Sequence, residues 1–161
     1  MTRRRAASDS WPIKPMPEQQ KELALDGMFS AKEMADIQLG FIPQQPGDAW
    51  FVYMSGEWLY FHRSRTGTCV YQLHIVPFED RFYAQEAIVN RNPAQYRNED
   101  DAYDVQMISY LIDHLLLGRF AQLPTPKGLR EQDQGRYRRD VMGKKTDVGR
   151  VDLGGVNGRS Q

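Results

Sequence analysis

The residues that carry chemistry are few: three histidines (His62, His74 and His114), a single cysteine (Cys69), and two polar runs, His62-Arg63-Ser64 and Asn90-Arg91-Asn92-Pro93. The histidines lack the close spacing of a zinc site. His62 and His74 can approach across strands but find no evident third ligand, so no metal is expected. His62-Arg63-Ser64 holds a base, an anion clamp and a hydroxyl, the components of nucleophilic catalysis. Adjacent strand residues point to opposite faces, however, which separates His62 from Arg63, and His62 meets Ser64 only if the strand end curls. Asn90, Arg91 and Asn92 offer two amides and a guanidinium to a carboxylate or phosphate, and the same run reads as a polar turn closed by Pro93. The acidic run Glu99, Asp100, Asp101 and Asp104 suits a helix N-terminus better than a metal. There is no phosphate-cradling glycine loop, dinucleotide fingerprint or nucleophile elbow, and no cofactor is expected.

Composition bounds what can position these residues. The 161-residue chain is 40% hydrophobic and 11% aromatic, enough for one globular core with polar appendages. Its formal net charge of zero conceals a split. Residues 1–16 hold four basic residues against one acidic, and residues 124–161 hold nine against five, leaving eight basic and fifteen acidic residues between them. An acidic core repels phosphate backbones, so nucleic acid is disfavoured as its partner, with only weak, salt-sensitive contact expected through the tails. A lone cysteine in an apolar run favours a reducing, cytoplasmic compartment. No apolar stretch is long enough for a signal peptide or a membrane span.

Along the chain, prolines 12, 15 and 17 break any periodicity, and residues 2–17 read as a mobile arm. A short helix is expected over residues 17–25, with Pro17 first and Gly27 beyond its end. Ser30 and Glu33 form a capping box, Phe29 and Met34 a hydrophobic staple, and Gly40 a left-handed stop, predicting a helix over 31–39. Residues 50–54, 57–63, 68–76 and 81–90 read as strands, joined by Ser55-Gly56, Arg65-Thr66-Gly67 and a turn at 77–80. Val105, Ile108, Ile112, Leu115 and Leu116 recur at helical spacing before Gly118. The expected fold is therefore α+β: a four-stranded antiparallel meander, one long C-terminal helix packed on one face, and a short N-terminal helix. The expected limits are a mostly flexible arm over 1–29, a single domain over 30–124, and a disordered basic tail over 125–161.

Hairpin register assigns the faces. With Ser55-Gly56 as the whole loop, Met54 pairs Glu57 and Tyr53 pairs Trp58, so Trp50, Val52, Leu59 and Phe61 face the helix. Phe51, Tyr53, Trp58, Tyr60 and His62 take the other side. A three-residue second loop pairs Ser64 with Thr68, adding Cys69, Tyr71, Leu73 and Ile75 to the helix side and Val70, Gln72 and His74 to the aromatic side. A four-residue loop would invert this and bury Gln72 and His74.

Several segments follow one another in a specific order: Gly40-Phe41-Ile42-Pro43, Trp50-Phe51-Val52-Tyr53, Trp58-Leu59-Tyr60-Phe61-His62-Arg63-Ser64, Thr66-Gly67-Thr68-Cys69, Val89-Asn90-Arg91 with Gln95-Tyr96, and Asp101-Ala102-Tyr103-Asp104. On these, residues 33–118 resemble a family of short, uncharacterised bacterial proteins. The resemblance covers a little over half the chain and implies domain limits but no activity. Arg65 stands where such relatives often carry an aromatic, so no role for that ring carries over.

The leading expectation is a non-catalytic recognition module that binds a protein or small ligand on the aromatic face. Tyr53, Trp58, Tyr60, His62, Gln72 and His74 are its contacts, with Arg63, Ser64, Asn90 and Arg91 as further candidates. The alternative is a small hydrolase or transferase acting on a nucleotide-like or phosphorylated ligand, with His62 as base and Arg63 or Arg91 as anion clamp. A third is a scaffold whose tails engage nucleic acid.

Overall fold

The hairpins around Gly56 and Gly67 form one side of a larger sheet than expected. A computed structural model describes residues 4–125 and 141–142; most of the tail foreseen as disordered lies outside the described residues. Residues 4–43 and 50–125 belong to one unit and residues 44–49 to a second, where the Gln44 and Gln45 amides donate to the Asp48 carboxylate. The strands are β1 (Gln20–Ser30), β2 (Trp50–Ser55), β3 (Trp58–Arg63), β4 (Cys69–Phe78) and β5 (Arg81–Asn90), with helices α1 (Ala31–Ile37) and α2 (Asp101–Leu111). The sheet is antiparallel with order β1-β5-β4-β3-β2. The fold is α+β, but it has five strands rather than four.

The fifth strand is β1, which corrects the short helix expected over residues 17–25 and draws Gln20–Ser30 into the domain. Leu23, Leu25, Gly27 and Phe29 alternate with exposed Lys21, Glu22, Ala24, Asp26 and Met28 through much of the strand. That period of two turns alternate side chains inward while the backbone pairs with β5, which a helix beginning at Pro17 cannot do.

The first hairpin turns one residue later than expected. Ser55 pairs Trp58, Met54 pairs Leu59, and Tyr53 pairs Tyr60, so Gly56-Glu57 is the loop, with Gly56 at φ 61° in its first position. Each pairing slips by two residues in sum, and side-chain parity is therefore preserved. Between β3 and β4 the expected pairs, such as Trp58 with His74 and Phe61 with Tyr71, are present. Beyond them the loop is four residues long: Arg63 N–H donates to Thr68 O and Gly67 N–H donates to Arg63 O, both at 2.8 Å. A β-bulge between Phe61 and His62 absorbs the extra residue, so Gln72 and His74 keep the aromatic side. The same bulge pairs Cys69 with His62 and moves the cysteine off the helix side where it was expected.

α1 starts as foreseen, with the Ser30 hydroxyl accepting from Glu33 N–H and the Glu33 carboxylate accepting from Ser30 N–H. Gly40, at φ 67°, ends that turn; a Cβ there would lie 2.2 Å from Val52 O, so only glycine fits. α2 is shorter than the long helix expected, because its eleven residues give way to a π-helical segment, Ile112–Leu116. Asp100 caps α2 by accepting from Tyr103 N–H. α2 buries Tyr103, Asp104, Met107, Ile108 and Leu111 on the side of the sheet that carries Tyr71 and Leu73. Among the described residues no helix is long and apolar enough to cross a membrane.

Candidate functional site

The aromatic side of the sheet is a ladder of rings. Trp58 stacks on His74 with centroids 4.6 Å apart, Tyr53 on Tyr60 at 4.8 Å, and Tyr53 on His62 at 5.8 Å. All three pairs are near-parallel stacks, with interplanar angles of 14° to 23°.

The N-terminal arm divides this face in two. Ala6, Trp11 and Ile13 pack with Ile42 on the cluster of Phe51, Tyr53 and Tyr60. The arm expected to be mobile is tied down there: Ala6 N–H donates to Leu39 O, Lys14 N–H to Gly67 O, and the Trp11 indole to Ser64 O. Beneath it Phe51, Tyr53 and Cys69 are buried, and His62 is only 2% exposed. Burial pushes the Tyr53 and Tyr60 hydroxyls up from their ordinary pKa and the Cys69 thiol up to about 12. Cys69 is therefore a protonated thiol rather than a nucleophile.

Beyond the arm Trp58, Gln72 and His74 remain partly exposed, as does Tyr60 at its edge. The two His74 nitrogens face carboxylates on both sides, Glu57 at 3.0 Å and Glu86 at 3.2 Å, which hold the imidazole flat against Trp58. Four of the ten site residues read from the sequence thus share an accessible surface, while Tyr53 and His62 lie under the arm.

His62 is not placed as a catalytic base. Its Nδ1 lies 2.9 Å from Gly67 O, an acceptor only, so Nδ1 carries the proton and Nε2 a bare lone pair. Nε2 is buried with no hydrogen-bond partner among the described residues. Desolvation holds the His62 pKa below its usual range. Arg63 lies on the other side of the sheet, its guanidinium 4.9 Å over the Trp50 ring, and Ser64 belongs to the loop that receives the Trp11 indole.

Asn90 and Arg91 form a different centre, one that spacing alone did not reveal. Asp104 is fully buried, and its Oδ1 accepts from the Tyr71 hydroxyl at 2.9 Å, the Tyr96 hydroxyl and Asn98 Nδ2 at 3.0 Å. Its Oδ2 accepts from Arg91 Nη2 at 2.6 Å, and the same nitrogen reaches Asp101 at 2.7 Å. Lys21 on β1 closes the set by pairing with Asp101. Asn90 is buried and donates to Cys69 O and Gln95 Oε1, while its own Oδ1 accepts from Asn92 N–H. Burial and the Asp104 carboxylate drive the Tyr71 and Tyr96 hydroxyls well above their ordinary pKa. Lys21 and Arg91 hold Asp101 below the usual carboxylate range. Asp104 is thus saturated and sealed from solvent, and the cluster ties β4, the loop after β5 and the start of α2 together. Capping explains Asp100 but not Asp104. The signal that marked this cluster in the sequence was the ordered motif set, because Asn90-Arg91, Gln95-Tyr96 and Asp101 to Asp104 all converge on it.

No group of three metal-ligating side chains occurs among the described residues. Comparison with known proteins finds no family model, curated protein or solved structure that matches this chain.

Proposed function

We propose that the chain is a non-catalytic recognition module that binds a protein or small ligand on the open half of the aromatic face, through Trp58, Tyr60, Gln72 and His74. The observation that supports it is the Trp58–His74 stack. A large ring is held at 4.6 Å against an imidazole that Glu57 and Glu86 fix from both sides, on a strand pair at the sheet's centre. Rings already fixed in one geometry lose little side-chain entropy when a partner covers them, so most of the buried area counts toward affinity. Gln72, in the next row beside Tyr60, supplies a direction-sensing amide between the rings.

The hydrolase or transferase reading draws no support from this geometry. Its proposed base is buried with its proton turned to Gly67, and the sheet separates it from Arg63 and from Arg91, which is engaged by two carboxylates. The resemblance to short bacterial proteins remains a reading of the motifs, and what the motif residues build here is mostly scaffold.

The test is a peptide-display selection against the full chain, followed by titration of a selected binder into Trp58→Ala and Tyr60→Ala. Loss of about 2 kcal/mol or more of binding energy at Trp58, with an unchanged circular dichroism spectrum, is expected of a central aromatic anchor. Equal affinity for the parent chain and both folded variants removes the proposal.

A further inference from the structure

We propose that the seat beneath the N-terminal arm is itself a peptide-binding site, filled in cis by the arm and able to take an extended proline-containing partner segment in its place. It is centred on Phe51, Tyr53 and His62 rather than on Trp58 and His74, and meets the open half at Tyr60, which lines both.

The occupant in view defines the chemistry. Residues Trp11-Pro12-Ile13-Lys14-Pro15 run across the face without joining the sheet, and Pro12-Ile13-Lys14-Pro15 has the spacing of two prolines separated by two residues. Such segments keep an extended, preformed shape and dock on aromatic-lined grooves, with the rings supplying the walls. The walls here are Phe51, Tyr53 and Tyr60. The seat is cut to the depth of a backbone: a Cβ on Gly67 would come within 2.9 Å of Pro12 O and 3.2 Å of Ile13 Cα, and one on Gly40 within 3.0 Å of the Ala6 Cβ. The Gly67 carbonyl receives both Lys14 N–H of the arm and the His62 imidazole.

A second, independent feature sets the arm apart from an ideal occupant. His62 Nε2, enclosed among the rings on which the arm packs, is a lone pair that no described group satisfies. A buried acceptor left bare disfavours the closed state. A partner segment that brings an N–H or O–H to this point makes a bond the arm does not, which favours exchange.

The experiment uses the full chain and a fluorescein-labelled peptide of residues 4–17 as probe. The cis arm competes with the peptide, so weakening the arm raises the fraction of chains with an empty seat. Two variants do this without touching the seat: Trp11→Ala removes the ring and its bond to Ser64 O, and Lys14→Pro removes the N–H that Gly67 O receives. Fluorescence anisotropy should show saturable binding to either folded variant, about tenfold or more tighter than to the parent chain. A control peptide with Trp11 and Ile13 replaced by alanine should not bind. Failure of both folded variants to bind the probe, equal binding to parent and variants, or equal binding of the control peptide overturns the proposal.

Discussion

Two buried groups carry opposite lessons at the scale of single residues. Both oxygens of Asp104 accept, from four side chains in all, and Arg91 is one of them. Asp104→Ala takes from Arg91 the buried one of its two carboxylates and removes the acceptor of the Tyr71 and Tyr96 hydroxyls and of Asn98 Nδ2, and should cost about 3 kcal/mol in urea unfolding. Tyr71→Phe, which removes one of four bonds to the carboxylate, should cost about 1 kcal/mol. His62 is under-satisfied and neutral. Burial lowers its folded pKa, so near its ordinary value of 6.5 the unfolded chain binds more protons than the folded one. Its contribution to stability is therefore complete above that pH and is lost as pH falls through the folded value. The urea midpoint of the parent chain should drop between pH 7 and pH 5, and the drop should shrink in His62→Phe. Equal drops in both chains would show that His62 does not titrate under the arm. Neither role was legible from residue type. His62 looks like a base until its partner proves to be a carbonyl, and Asp104 looks like a cap until the loop at residues 95–98 folds over it.

At the scale of elements, local chemistry was read well and partner-dependent structure poorly. The Ser30–Glu33 capping box and the left-handed glycines 40, 67 and 118 stand as foreseen because each depends on neighbours within a few residues. Ser30→Ala should therefore cost about 1 kcal/mol, measured as a shift in thermal midpoint. β1 was misread because Pro17 and Gly27 look like helix punctuation, whereas the alternation of Leu23, Leu25 and Phe29 shows its meaning only beside β5. The face assignment, Cys69 apart, survived one shifted loop and one loop longer than expected for a geometric reason. A slip of two in the sum of paired numbers leaves parity intact, and the bulge beside His62 cancels the extra residue of the second loop. Cys69 changed sides because it lies next to that bulge.

At the scale of the whole molecule, the acidic middle of the chain and its basic ends proved less informative than the path of the arm. A segment dismissed for its prolines crosses the sheet and converts one continuous aromatic face into a covered half and an open half. Prolines exclude helix and strand, but they do not exclude docking in an extended form. The proposed recognition through Trp58 and His74 and the proposed exchange at the arm's seat both rest on that division. Its most direct test is paramagnetic broadening of side-chain resonances by a neutral soluble radical. The ring protons of His74 and the indole of Trp58 should broaden strongly, and those of His62 and Trp50 should stay sharp. Broadening of His62 to the extent of His74 would contradict the covered half and with it the account of this face.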